Sequence, residues 1–145
     1  MTYTISRETE LTPELREFLV EETDRMNASF GHDAFDISFA LVVKMIREGV
    51  FLVCRRHGEI TGFHVSWIFR SPLDVNVRLI QQQAFYVAED SGRTAYHLFK
   101  YFIDFGKREA DHIITMVASK TNIKPATLKR WGFEELETLY KLEVK

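Results

Sequence analysis

The run Arg78-Leu79-Ile80-Gln81-Gln82-Gln83-Ala84-Phe85-Tyr86-Val87 leads through Ala88-Glu89-Asp90-Ser91-Gly92-Arg93 into a segment where Ala95, Leu98, Phe99, Phe102 and Phe105 recur every three or four residues. The first part reads as a strand. The polar, glycine-bearing middle reads as a turn, and the periodic part as a helix with one apolar face. A strand that feeds a helix through such a turn leaves the first N–H groups of the helix without intrahelical acceptors. Those groups and the helix dipole favour an anion, commonly a phosphate. An ordinary strand-to-helix connection has the same form, so the turn alone leaves both readings open.

On the N-terminal side, Tyr3 and Ile5 alternate with Thr2, Thr4 and Ser6, the pattern of a short edge strand. Thr12-Pro13-Glu14 combines a hydroxyl cap, a proline at the first helical position and an acid in the first turn. It predicts a helix to about residue 26, followed by a loop from Asn27 to Phe35. Asp36 reads as the cap of a second helix that Gly49 ends. Val50 to Cys54 is a buried strand, Arg56-His57-Gly58-Glu59 a tight turn with glycine at positive φ, and Ile60 to Phe69 the returning strand.

After the long helix, Asp111-His112 is a break and Ile113 to Ala118 a buried strand. Pro125 opens a short helix, Ala126 to Trp131, closed by Gly132. Phe133 to Val144 reads as one or two further strands. The strands flanking the long helix should be parallel and joined by a right-handed crossover. The fold class is therefore α/β: a mixed sheet of about six to seven strands with helices on both faces.

Composition narrows the function classes. A chain of 145 residues, 46% hydrophobic and 13% aromatic, suits one globular domain spanning 1–145. A net charge of −2 lacks the basic footprint of a nucleic-acid binder. The lone Cys54 cannot form an internal disulfide, which fits a reducing cytoplasm. No apolar run is long enough to span a membrane, and no His/Cys/Asp/Glu spacing suggests a metal.

Three motifs together resemble the GNAT-fold acyltransferases, which transfer an acyl group from a CoA thioester to an amine. The hairpin with Gly58-Glu59-Ile60-Thr61-Gly62-Phe63 resembles the family's strand pair. Phe85-Tyr86-Val87-Ala88-Glu89-Asp90-Ser91-Gly92-Arg93-Thr94-Ala95-Tyr96-His97-Leu98 resembles its pyrophosphate loop and helix. Asn122, Ala126 and Lys129-Arg130-Trp131-Gly132-Phe133-Glu134 resemble its closing motif. The resemblance covers residues 50 to 145, and the chain is also similar to small stand-alone phage or bacterial members. It implies a sheet splayed into a V between the strand ending at Val87 and the one starting at Ile113. It implies acetyl-CoA or another acyl-CoA as co-substrate, a small amine or protein amine as acceptor, and a possible homodimer. Pyrophosphate would sit on Gly92, Arg93, Thr94 and Ala95, with Asn122 nearby. Pantetheine would lie beside Phe85, Tyr86 and Val87, with a backbone N–H near Phe85 or Tyr86 stabilising the oxyanion.

The sequence departs from the family's pattern at chemically important places. Ser91 stands at the leading Arg or Gln of the phosphate loop, and Arg93 and Thr94 replace small residues, so Thr94 is expected to narrow the approach. Gln81 stands near the usual carboxylate base and Leu128 at the usual tyrosine acid. Strand alternation puts Gln81 and Gln83 on one face, where they could line a polar acceptor pocket or an exposed edge. His64, on the neighbouring strand, is a candidate base facing the same cleft, and Tyr140 a substitute acid; core roles compete for both. The resemblance thus implies either an N-acyltransferase or a GNAT-fold protein without catalysis that works by binding, such as a phage-encoded inhibitor of a host protein.

Overall fold

The structure, a computed structural model, describes residues 2–31, 36–116 and 123–136 together with positions 142 and 144. Its elements are β1 (Tyr3–Arg7), α1 (Pro13–Phe30), α2 (Phe39–Glu48), β2 (Val50–Arg56), β3 (Glu59–Arg70), β4 (Arg78–Val87), α3 (Thr94–Glu109), β5 (His112–Ile114) and α4 (Pro125–Arg130). The strands form one sheet in the order β1-β2-β3-β4-β5. Neighbours are antiparallel except β4 and β5, which are parallel across the α3 crossover.

Local chemistry explains most boundaries. The Thr12 hydroxyl accepts the Leu15 N–H at 3.2 Å and Pro13 opens α1. The β2–β3 turn holds His57 and Gly58 at φ 54 and 82, two left-handed residues of the kind that match the twist of a two-residue hairpin.

Some expectations are corrected. Helix α1 does not stop near residue 26 but runs to Phe30, where Gly31 takes φ 73 and donates its N–H to Ala28 O. The cap of α2 is Ser38, whose hydroxyl accepts the Leu41 N–H at 3.3 Å, and not Asp36. Strand β5 begins at His112 and ends at Ile114, short of Ala118. The sheet has five strands among the described residues, fewer than six to seven. Residues 133–136 are not strand, and most of the rest of the expected C-terminal strands lies outside the described residues.

Both sheet faces are covered. Helices α1 and α2 pack Leu15, Phe18, Leu19, Val42 and Ile46 against Phe51, Val53 and Val65. On the opposite face, α3 packs Leu98, Phe99, Phe102 and Ile103 against Leu52, Cys54 and Ile80, with Leu128 of α4 in the same cluster. Cys54 is wholly buried there, and desolvation pushes its thiol pKa up, which makes it a core hydrophobe. No described helix is long and apolar enough to cross a membrane.

Candidate active site

Strand β4 changes character halfway along. Leu79, Ile80 and Gln81 pair with His112, Ile113 and Ile114 of β5. Among the described residues, backbone pairing with β5 ends there, although β4 continues to Val87. The two parallel strands thus part at Gln81, the splay expected between them. On the β3 side, Val65 pairs with Ala84 but Ser66 pairs with Gln82, so Gln83 is an extra, bulged residue. A bulge leaves one residue unpaired and reverses the alternation beyond it. Ile80 accordingly packs on the α3 face, and so do Phe85 and Val87, two residues of opposite parity.

The bulge revises the reading of the glutamines. Gln83 is exposed and outside the ladder, so Gln81 and Gln83 are not a simple same-face pair. Gln81 is half-buried opposite Trp67. Gln82 is buried on the α3 side.

Beyond the bulge, β4 has no backbone partner on its β5 side among the described residues. The Ala88 N–H donates to Thr61 O at 2.9 Å. The alternation of an antiparallel pair then turns the N–H and C=O groups of Phe85 and Val87 away from β3, into the opening. The backbone of Tyr86 is turned the other way, toward β3. Its phenol hydroxyl donates to Glu22 on α1 at 2.5 Å. Burial and the Glu22 carboxylate together push the Tyr86 pKa well above its ordinary value. Glu22 is itself buried and also accepts from Arg25 at 2.9 Å. This pair joins residues 64 apart in sequence, and no local pattern announces it.

The turn after β4 delivers α3 to the top of that edge. Asp90 and Gly92 take φ 54 and 67. The Arg93 N–H, at the helix cap, is held by the Tyr3 hydroxyl of β1 at 2.9 Å. Tyr3 stacks on His97 with centroids 4.4 Å apart, and Arg56 donates to Asp90 O at 3.3 Å. Arg93 therefore supplies a satisfied amide, leaving Thr94 and Ala95 as the first-turn amides. The Thr94 side chain does not narrow the approach. It is buried beneath the turn, donating to Ser91 O and sharing a 2.8 Å hydrogen bond with Thr61 Oγ1. An open cavity of about 630 Å³ lies beside this junction, between Tyr3, Arg56, Arg93 and His97.

His64 is not at an accessible cleft. It is wholly buried, 4.1 Å from the Phe102 ring and 5.1 Å from Phe85 by centroids. Burial pushes its pKa down to about 4, opposed by the hydrogen bond with Gln82, so the imidazole is neutral at pH 7. Leu128 is buried in the α3-side core. Asn122 and Tyr140, and Lys120 with them, lie outside the described residues.

No protein-family model and no curated protein matches the sequence. Solved structures do match, over nearly the whole chain. The aminoglycoside acetyltransferase meta-AAC0020 from an uncultured soil metagenomic sample, in complex with sisomicin, superposes with a TM-score of 0.69 at 14% identity, covering 99% of this chain and 97% of that one. A probable acetyltransferase gives 0.68 at 19% identity, covering 100% and 99%. Ribosomal-protein-alanine N-acetyltransferase from Brucella melitensis biovar Abortus 2308 gives 0.63 at 16% identity, covering 99% and 100%. The chain therefore has the GNAT acetyltransferase fold. None of these comparisons bears on a likeness to phage-encoded members.

Proposed function

We propose that the chain is an acyl-CoA-dependent N-acyltransferase that transfers an acyl group, most simply acetyl, to an amine by direct attack. One observation carries the reading: among the described residues β4 loses its pairing with β5 just before a bulge, and the edge left unpaired there leads to the N-terminus of α3. That edge matches an extended amide chain, which would pair with Phe85 and Val87. The end of the edge matches a phosphate, which would meet Gly92, Thr94 and Ala95. The acetyltransferases of the same fold support the reaction class, and their acceptors span an aminoglycoside and a ribosomal protein by name.

In the reaction, the amine nitrogen attacks the thioester carbonyl. A C–N bond forms, the C–S bond breaks, and the sulfur leaves as a thiolate that takes a proton. The Phe85 N–H is the oxyanion donor in this reading, because the Tyr86 N–H is turned toward β3. His64 does not serve as base in this reading, because it is wholly buried away from any substrate and burial lowers its pKa to about 4, which makes it a weak proton acceptor. The ammonium proton passes to water, with the exposed Gln83 and the half-buried Gln81 positioning acceptor and water. Acceleration then comes mainly from holding the free amine beside the thioester. Roles for Asn122 at the cofactor and Tyr140 as acid rest on the sequence resemblance alone.

Calorimetric titration with acetyl-CoA, followed by thiol release against an amine panel, tests the proposal. Saturable binding in the range of about 1 μM to 1 mM and amine-dependent thiol release are expected. No binding across that range overturns it. Binding without thiol release for any amine redirects it to a GNAT-fold binding protein.

A further inference from the structure

The place where β4 and β5 part holds a buried polar node. Gln82, 5% exposed, follows the last residue of β4 that pairs with β5. Its Nε2 lies 3.4 Å from Met116 O, its Oε1 2.7 Å from Thr115 Oγ1 and 3.2 Å from His64 Nε2. Donor chemistry fixes the whole arrangement. A backbone carbonyl only accepts, so the amide nitrogen of Gln82 faces Met116, and Oε1 faces the other two. Oε1 is then the acceptor of both. Thr115 donates its hydroxyl hydrogen, and His64 carries its proton on Nε2. The other ring nitrogen, Nδ1, has no partner among the described residues.

Three features set this node apart from incidental core polarity. It joins β4 to the chain just after β5, at the point where the described backbone pairing stops. It touches the first two residues beyond β5, Thr115 and Met116, which are held to β4 by this side chain in place of the ladder. Gln82 and Thr115 also line a cavity of about 10 Å³ whose other walls include Phe85, Phe99 and Met116.

We propose that Gln82 is a positioning residue for the acyl donor: gripped by His64 and joined to Thr115 and Met116, it fixes how far the two strands part, and so the width of the slot that receives the acyl-CoA arm. The inference rests on the acyl-CoA reading of that slot. His64 acts through Gln82 and never meets substrate. With its proton on Nε2, the ring supplies the donor that the node needs.

The test compares wild type with Gln82→Leu, Thr115→Val and the double variant. Acetyl-CoA affinity is measured by calorimetry, stability by urea melts, and amine KM by thiol release. Gln82→Leu should weaken acetyl-CoA binding about tenfold, as expected when partners of a buried hydrogen-bond network are left unpaired. Thr115→Val should shift affinity in the same direction by less. The double variant should be no worse than Gln82→Leu alone, because both changes disable one node. Amine KM should stay within about twofold of wild type, the signature of a donor-side role. Folded variants that bind acetyl-CoA like wild type, whatever their urea midpoints, overturn the inference and leave the acyl-CoA reading standing. Strictly additive losses also overturn it. Failure of wild type to bind overturns the functional reading and this inference together. Should Gln82→Leu not fold, Thr115→Val decides alone, since position 115 is only half-buried: a reduced affinity with normal amine KM supports the role, and an unchanged affinity ends it.

Discussion

The two halves of β4 do different work. Residues 78–82 are flanked by β3 and run up to the end of β5, with Ile80 wholly buried beneath α3. Residues 84–87 keep β3 but have no β5 partner among the described residues, and Phe85, Tyr86 and Val87 are only half-buried. The first half has strand partners on both edges from Leu79 to Gln81 and sends Ile80 and Gln82 into the core. The second half has backbone donors and acceptors without a strand partner on one edge among the described residues, and such an edge invites another extended chain to pair with it. On the proposed reading, one strand thus carries a scaffold end and a binding end, with the Gln83 bulge between them.

The largest expected effect separates the halves directly. Ile80→Ala should cost about 3–4 kcal/mol of stability, since it leaves a cavity in a closed part of the core. Phe85→Ala removes more atoms but from a half-buried site that can relax, and should cost about 1–2 kcal/mol. Urea midpoints at constant slope measure both. Equal costs would mean the second half is as firmly packed as the first, which would break the comparison.

Next in size is a pH effect at the boundary. The pKa of His64 is about 4 in the folded chain against an ordinary 6.5. The folded value is the lower one, so its stability contribution is intact above pH 6.5. Below that the unfolded chain binds the proton and the folded chain does not, and stability falls until the pH reaches about 4. A difference of that size corresponds to about 3 kcal/mol. The loss between pH 7 and pH 4 should therefore be about 3 kcal/mol greater in wild type than in His64→Leu. Parallel curves for the two proteins would show that the ring is not buried in its neutral form.

At the far end of the binding half, Gly92 has φ 67, and an added Cβ would collide with the Tyr3 hydroxyl. Gly92→Ala should cost about 2 kcal/mol from backbone strain and displacement of Tyr3. Acetyl-CoA affinity should fall with it, because the first-turn amides shift. An affinity loss with full stability retained would show that the turn adapts and only the ligand contact is lost.

How far the sequence reveals this depends on the range of the interaction. The hairpin, β4 and α3 were legible because each is written locally, in alternation, in a glycine at positive φ and in a three-to-four apolar period. The end of α1 was not, because Asn27, Ala28 and Ser29 form an inconspicuous polar run that the Gly31 cap nevertheless closes as helix. The burial of His64 was hidden by its own strand. In Phe63-His64-Val65-Ser66 the polar residues alternate as a solvent face would, yet α3 covers that face. Nothing in Gln81-Gln82-Gln83 marks which residue bulges, since no glycine or proline stands there and the register is set by β3. The Glu22–Tyr86 and Tyr3–Arg93 bonds link distant segments, so only the folded chain brings them together.

The smallest effect asks what occupies the start of α3. Tyr3→Phe keeps the ring stacked on His97 and removes only the hydroxyl that accepts the Arg93 N–H. A side-chain cap of this kind is worth about 1 kcal/mol. A stability loss near that value is expected, read from urea midpoints. The informative measurement is acetyl-CoA affinity. Tyr3 reaches the amide from β1, whereas the edge of β4 beyond Gln81 faces the β5 side, where it has no strand partner among the described residues. A phosphate arriving along that edge would meet the Thr94 and Ala95 amides without displacing Tyr3. Affinity should then stay within about twofold of wild type, well under the tenfold that corresponds to 1.4 kcal/mol. A severalfold gain in affinity would show instead that the hydroxyl and the phosphate compete for the Arg93 N–H. The binding half of β4 would then end in a site that the chain's own N-terminal strand partly fills.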